Sequence, residues 1–458
     1  MIQRTRRELI REGLAAMALA SVPGCASLPS APRRLLWRNW AGDHECLPVA
    51  RVAPRDEDEL VAFLRGTRGE VRPVGSGHSF TPIAATEGTL VSLDRMHGVS
   101  AVDAKDRMAE IWAGTRLHAL GAALGRHDQL LTVQPDIDDQ ALAGALATST
   151  HGTGPRFGSM SAYVDALTLV TPSGERVVCD RDRDSEVFHA ARCSVGALGI
   201  TSQVRMRNTA PMNVIERTWT APVEDVLAQA ETLAAEHMHM EFMPMPRSGL
   251  SLVMTTDPTD MPEVDLHEDP TSVEQLRAAW HAVGGDPEIY RAVVWEALGE
   301  GASDFRTGPA FLVRAHARYT RFREMEYTVP AAAGVACVRE ILDAIDRAEL
   351  PLVFPIEVRY VREDDIWLSM FEGRAGCTIS IHQFADAGPH AAFDLIEPIL
   401  KRYEGRPHWG KMHTQTAAEL RERYPRWDDF QRVRQALDPQ GRMLNPWLER
   451  TLVTESAG

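Results

Sequence analysis

Two glycine-rich strings and three polar ones carry the chemistry legible in this chain of 458 residues. Val71-Arg72-Pro73-Val74-Gly75-Ser76-Gly77-His78-Ser79-Phe80 runs from a β-prone stretch into a glycine turn that holds a histidine. Gly75 and Gly77 let the backbone take positive φ and come close to a ligand. Successive N–H groups of Val74, Gly75, Ser76, Gly77, His78 and Ser79 can then cradle a diphosphate. A second loop, Ala147-Thr148-Ser149-Thr150-His151-Gly152-Thr153-Gly154, offers hydroxyl and backbone donors from Ser149, Thr150, His151, Gly152 and Gly154. By itself it reads equally as an ordinary Gly/Thr turn with a packed histidine.

The polar strings lie in the second half. Phe354-Pro355-Ile356-Glu357-Val358-Arg359-Tyr360 alternates as a strand, so Glu357 and Arg359 project from one face. Cys377-Thr378-Ile379-Ser380-Ile381-His382 alternates too, setting Thr378, Ser380 and His382 opposite Ile379 and Ile381. Alone, the Glu and Arg would be a solvated ion pair. With both strands converging they form the floor of a hydroxyl-lined pocket, where each substrate hydroxyl needs a partner once water leaves. His382 is the first choice of base for a hydroxyl proton, since its ordinary pKa lies near working pH. Glu357 is the second choice, with Arg359 fixing its charge. The third string is Arg406-Pro407-His408-Trp409-Gly410-Lys411-Met412-His413.

The elements that must position these groups follow from local pattern. Residues 56–65 read as a helix with acids in its first turn, where the dipole favours them. Strands are expected at 70–74 and 89–93, then an Ala/Leu-rich helix at 117–125. Strands at 164–170 and 175–179 flank the turn Thr171-Pro172-Ser173-Gly174. A helix at 185–192 and a strand at 200–207 follow. Mixed short elements in this order indicate an α+β fold without the regular βαβ rhythm of a dinucleotide Rossmann domain.

Bulk composition narrows the classes. A formal charge of −15 with no basic block beyond the first dozen residues argues against nucleic acid as a partner. Six cysteines lack any C-x-x-C pair or metal spacing, so free buried thiols and no metal site are expected. Thr5-Arg6-Arg7-Glu8-Leu9, a mildly apolar stretch at 13–22, and Val22-Pro23-Gly24-Cys25 read as a twin-arginine (Tat) export signal with a lipoprotein-type box. The expectation is an exported protein, periplasmic or membrane-anchored through Cys25, handled by the Tat machinery that carries folded proteins. A basic amphipathic helix on a cytosolic enzyme is the competing reading.

Taken together, the 71–80 and 147–154 loops resemble those of the vanillyl-alcohol oxidase (p-cresol methylhydroxylase) type of FAD-linked oxidoreductases. The resemblance is strongest to the sugar-1,4-lactone and alditol oxidases, through the His-Trp-Gly-Lys string. Trp37-Arg38-Asn39-Trp40-Ala41-Gly42 and residues 438–445 match the same group at both ends. It implies a two-domain FAD-binding fold: a signal and linker at 1–36, an FAD domain at 37–209, a substrate (cap) domain on an antiparallel sheet at 210–411, and a segment at 412–458 returning to the FAD domain. It implies FAD bonded to His78, an adenosine-side wall at Gly199 and Ile200, and Lys411 near the flavin pyrimidine, where an ammonium meets incoming negative charge. Pro135 falls at a position that gates oxygen in the group, and Asp138 stands where alditol oxidases carry serine. The implied reaction oxidises an alcohol of a sugar lactone or polyol by hydride transfer to flavin N5, with O2 as acceptor giving H2O2. A dehydrogenase feeding a quinone or cytochrome, and a non-catalytic exported binding lipoprotein, are the alternatives.

Overall fold

Asp56 starts the first long helix because its carboxylate accepts the Glu59 N–H, while Glu57, Asp58 and Glu59 fill the positive end of Glu57–Gly66. Leu60, Val61 and Leu64 form its buried face. In this computed structural model the described residues are 34–264, 272–299, 303–316, 320–388 and 390–453. The twin-arginine string, Cys25 and most of the expected linker lie outside them. Among the described residues no helix is long and apolar enough to cross a membrane.

Two larger sheets build the first half, beside the small antiparallel pair Trp37–Arg38 and Glu45–Cys46. Ala50–Val52, Thr89–Ser92 and Val71–Val74 form a parallel trio. Val71–Val74 lies at its edge, which tolerates Pro73 and its missing N–H. The second sheet is antiparallel, in the order Arg176–Asp180, Val164–Val170, Ile200–Thr209, Met108–Trp112, Val99–Asp103. The expected turn joins its first hairpin: Gly174 has φ +77° and its N–H donates to Thr171 O at 2.9 Å. Helices Leu117–Gly125 and Ser185–Ala191 also fall where the pattern puts them.

The second half centres on an eight-stranded antiparallel sheet, in the order Ser303–Pro309, Asn213–Pro222, Leu250–Pro258, His239–Met245, Glu357–Val361, Gly376–Phe384, Phe322–Pro330, Arg406–Pro407. Period-two alternation divides its faces. Phe242, Val253, Tyr327, Val358, Ile379 and Ile381 share an apolar core with helices Val223–Glu236, Gly334–Arg347 and Ala391–Arg402. The opposite face of its centre is polar.

One expected strand needs shortening. Phe354 and Pro355 precede the strand, which begins at Glu357. Pro355 has no N–H for a ladder, and the Phe354 ring instead stacks on His382 with centroids 5.0 Å apart. Helices Ala417–Arg423, Trp427–Leu437 and Pro446–Leu452 return to the first core, where Tyr424, Trp427, Phe430 and Leu448 pack with Leu60, Val71 and Phe188. Buried Arg72 fastens this arrangement. Its guanidinium donates at 2.9 Å to each of Ile83 O, Val195 O and Gly196 O, and also to Met443 O. The five described cysteines are buried and free.

Candidate active site

A cleft of about 1650 Å³, counted with the open solvent at its mouth, runs between the glycine loops and the polar face of the large sheet. Val74, Gly75, Ser76, Gly77, His78 and Ser79 line it, together with Pro135, Thr150, His151, Gly199 and Ile200. Glu357, Arg359, His382 and Lys411 line it from the sheet side. All four expected catalytic groups are therefore in one chamber.

The loop is shaped for close approach. A Cβ on Gly75 would stand 2.9 Å from that of Ala141, and Gly77 has φ +75° with a Cβ position 3.2 Å from Trp37. Among the described residues, no hydrogen bond engages the N–H groups of residues 76–79. An unclaimed run of donors beside Gly196 and Gly199 fits the diphosphate of a dinucleotide such as FAD. His78 stacks on Trp40, with centroids 5.1 Å apart. Burial, with Lys411 adding to it, outweighs Asp139 and lowers its pKa to about 4. The ring is thus neutral at physiological pH and keeps an unprotonated nitrogen able to form a covalent bond.

Register explains how the floor is built. Glu357 pairs with Ser380 and Arg359 with Thr378. Glu324 pairs with His382 and Glu326 with Ser380 on the other side. Arg359 contacts Glu357 directly, with Nη2 3.9 Å from Glu326 and Nε 3.8 Å from Glu241. Removing one cation from such a buried set leaves carboxylates uncompensated. Arg359→Ala is expected to destabilise the fold by about 3–5 kcal/mol, read as a lower denaturation midpoint.

Glu324 joins the remaining two groups. One of its oxygens pairs with Lys411 Nζ and the other lies 3.7 Å from His382 Nε2. Burial alone would raise its pKa, but Lys411 and His382 outweigh it and hold the carboxyl below its usual range. Ligand atoms of Glu324, Glu357 and His382 lie within 4.8 Å of one another. Each carboxylate already faces a cation, so the donor set suits proton handling better than a metal ion. The 406–413 string is clamped in place: Met412 N–H donates to Glu324 O, His408 N–H to Glu326 O, and Phe80 N–H to Gly410 O.

Four expected cofactor residues lie elsewhere. Ser149 is fully buried, has φ +62°, and its hydroxyl pairs with Ser369 Oγ at 3.0 Å. Gly154 N–H donates to Tyr360 O at 2.7 Å, docking the loop on the sheet. Gly152 lines a separate small cavity. Asp138 accepts the His118 N–H through its backbone and turns toward the helix Leu117–Gly125. The reading missed Glu324, Glu326 and Glu241. Phe322-Arg323-Glu324-Met325-Glu326-Tyr327-Thr328 does alternate, and two acids at period two were a usable signal.

The small cavity lies behind Arg359 and is walled by Asp136, Glu216, His239, Glu241, Arg314 and His316. His316 is held by Asp136 Oδ1 at 2.6 Å and Glu216 Oε1 at 3.2 Å. Burial would lower its pKa, yet these two carboxylates raise it to about 10. The folded value exceeds the unfolded value of about 6.5. Its stabilisation is therefore full below about pH 6.5 and lost as pH rises through about 10. The denaturation midpoint should fall across that window, and His316→Asn should flatten the slope.

The geometry agrees with the chain's similarities. An "FAD binding domain" family matches residues 48–180 and a "D-arabinono-1,4-lactone oxidase" family matches residues 204–451. The chain is 37% identical to L-gulono-1,4-lactone dehydrogenase of Mycobacterium tuberculosis, over 91% of this chain and 99% of that protein. It is 28% identical to L-gulonolactone oxidase of Bos taurus, over 90% and 97%. It is also 28% identical to an alditol oxidase of a Streptomyces species, over 90% and 98%. Among solved structures, a solvent-stable cholesterol oxidase aligns with a TM-score of 0.76 at 19% identity, over 91% of this chain and 97% of that one. The cholesterol oxidase of B. sterolicum aligns at 0.73 and 16%, over 93% and 100%. These two share the fold.

Proposed function

The chain belongs to the D-arabinono-1,4-lactone oxidase family, and we propose that it oxidises an alcohol carbon of a sugar lactone or polyol in the cleft described above. It is an FAD-dependent oxidoreductase acting on CH–OH groups. The observation that carries the substrate reading is the polar floor of Glu324, Glu326, Glu357, Arg359 and His382 facing the His78 loop across one chamber; the expected Thr378 and Ser380 are fully buried beneath it, with the Ser380 hydroxyl given to Glu326. Such a floor gives each hydroxyl of a polar substrate a partner and penalises an apolar one.

Bound FAD supplies the acceptor for the two electrons that leave with the substrate hydride. His382 takes the hydroxyl proton through its unstacked edge, while Phe354 fixes its ring plane. Glu324 orients that histidine and passes charge balance to Lys411. Arg359 binds substrate oxygens, and Glu357 fixes its guanidinium. Incubating purified enzyme with sugar 1,4-lactones and alditols should give turnover with several of them. A yellow protein inert to the whole panel would refute this substrate class.

Attachment of FAD to His78 is part of the proposal, supported by the neutral, stacked imidazole at the loop. Wild-type protein should keep its yellow colour in the pellet after acid precipitation, and His78→Ala should release all of it to the supernatant.

Oxygen is the proposed acceptor, supported by Pro135 at the cleft wall. A second reading, reduction of a quinone or cytochrome, is favoured by the dehydrogenase name of the 37% relative. Peroxide formed per lactone consumed, compared with anaerobic dye reduction, separates the two. The proposal extends to export by the twin-arginine route with Cys25 as lipid anchor, resting on residues 5–25 alone. Cell fractionation and the mass of the mature amino terminus test it.

A further inference from the structure

Resting on the attachment reading above, we propose that Trp40 is the positioning residue for that attachment: its indole, rather than a hydrogen bond, holds the plane of the His78 imidazole while a ring nitrogen bonds to the flavin. The two rings stack with centroids 5.1 Å apart and 21° between their planes. His78 lines the cleft and Trp40 does not. The indole therefore backs the imidazole on the side away from the chamber and leaves its other face and edge toward it.

Stacking has no competitor at this ring. Among the described residues neither nitrogen of His78 has a hydrogen-bond or ion-pair partner, and burial with more distant charges sets its pKa. The neighbouring histidines differ. His151 lies 2.7 Å from an oxygen at each nitrogen, and His408 Nδ1 accepts the Gly410 N–H at 3.0 Å. An untied imidazole turns about its second side-chain torsion, which has broad wells. A stacked neighbour removes that freedom and still leaves both nitrogens unclaimed, as a nucleophilic ring requires.

Trp40 is itself fixed on the loop that carries His78. Its N–H donates to Gly77 O at 2.7 Å. Asn39 Nδ2 donates to Ser79 O at 3.1 Å, so the string grips the loop on both sides of the histidine. Asn39 Oδ1 accepts the N–H groups of Gly42, Asp43 and His44, which holds the string in its turn. Phe80 and Phe322 meet the indole edge-on at 6.2 and 5.2 Å, and the Arg321 guanidinium lies over it at 5.5 Å.

Attachment joins one ring nitrogen to a methyl carbon of the flavin. An N–C bond forms as one methyl C–H bond and the imidazole N–H bond break. Both protons and two electrons pass to the flavin ring system, which stays reduced until dioxygen accepts them as hydrogen peroxide. The attacking lone pair must point at that carbon, and a misplacement of about 1 Å costs on the order of 10²-fold. Losing the stack slows bond formation without removing the loop that binds the cofactor.

The test follows flavin incorporation into full-length protein made under riboflavin limitation and then given excess FAD. Bound flavin is read from the absorbance of washed protein, and attached flavin from the yellow that stays in the pellet after acid precipitation. Trp40→Leu should bind FAD but attach it about tenfold or more slowly than wild type, whereas Trp40→Phe, which keeps a flat ring, should stay within about threefold. A slowing of less than about tenfold in Trp40→Leu overturns the proposal, and so does a Trp40→Phe protein no faster than Trp40→Leu. A Trp40→Leu protein that binds no FAD also overturns it, since Trp40 would then serve the folding of the loop. Failure is separable from that of the attachment reading. Wild type whose flavin all leaves with the acid supernatant rejects the bond to His78, and this inference with it. Wild type with attached flavin, matched by Trp40→Leu, rejects this inference alone.

Discussion

His382→Asn is expected to slow the anaerobic bleaching of bound FAD by substrate about 10²–10⁴-fold, the usual contribution of a positioned acid–base group. The asparagine keeps a polar, flat side chain between Phe322 and Phe354, whose rings lie 5.1 and 5.0 Å from the histidine ring. It has no lone pair basic enough to take a hydroxyl proton. Stopped-flow absorbance at saturating substrate isolates this step from binding and from reoxidation. A loss under tenfold would transfer the base role to Glu357, the only other named candidate.

Lys411→Met should cost about 10²–10³-fold in the same reductive step. Two effects combine in this variant. The ammonium that meets arriving negative charge is gone, and Glu324 loses the cation that holds it ionised. A carboxyl freed to protonate no longer steadies a positive charge on His382, 3.7 Å away. The pH profile separates the two. Simple loss of the ammonium lowers the rate equally at every pH, whereas the part of the loss due to protonation of Glu324 is recovered as rising pH ionises it again. Lys411→Arg, which retains the charge, should recover a substantial fraction of activity.

Much of the chamber was legible in the chain because its determinants are local. Gly75 and Gly77 announce a loop that a Cβ would spoil, and strict alternation at 357–360 and 377–382 puts the right side chains on one face. The expectation at 354 failed for an equally local reason, the absent N–H of Pro355. Ser149, Gly152, Gly154 and Asp138 do not line the cleft, and a string rich in donors does not reveal which way each one turns. Ser149 φ +62° directs its hydroxyl to Ser369, 220 residues away. Glu324 and Glu326 show the opposite case. Their alternation was present, but only register against Ser380 and His382 makes them part of the floor. Glu241 gave no signal at all, since nearly every residue of His239–Met245 is buried and no face stands out.

Arg72 binds the carbonyl of Met443, 371 residues further along the chain, with the same guanidinium that holds Val195 and Gly196. The floor of the nucleotide loop is thus closed by a segment that leaves the ribosome long after both glycine strings. A nascent polypeptide halted before that point has both glycine strings but lacks the clasp that sets their spacing. Cofactor loading accordingly waits until residue 443 has emerged, and a chain truncated just before it should be colourless even though both glycine strings remain.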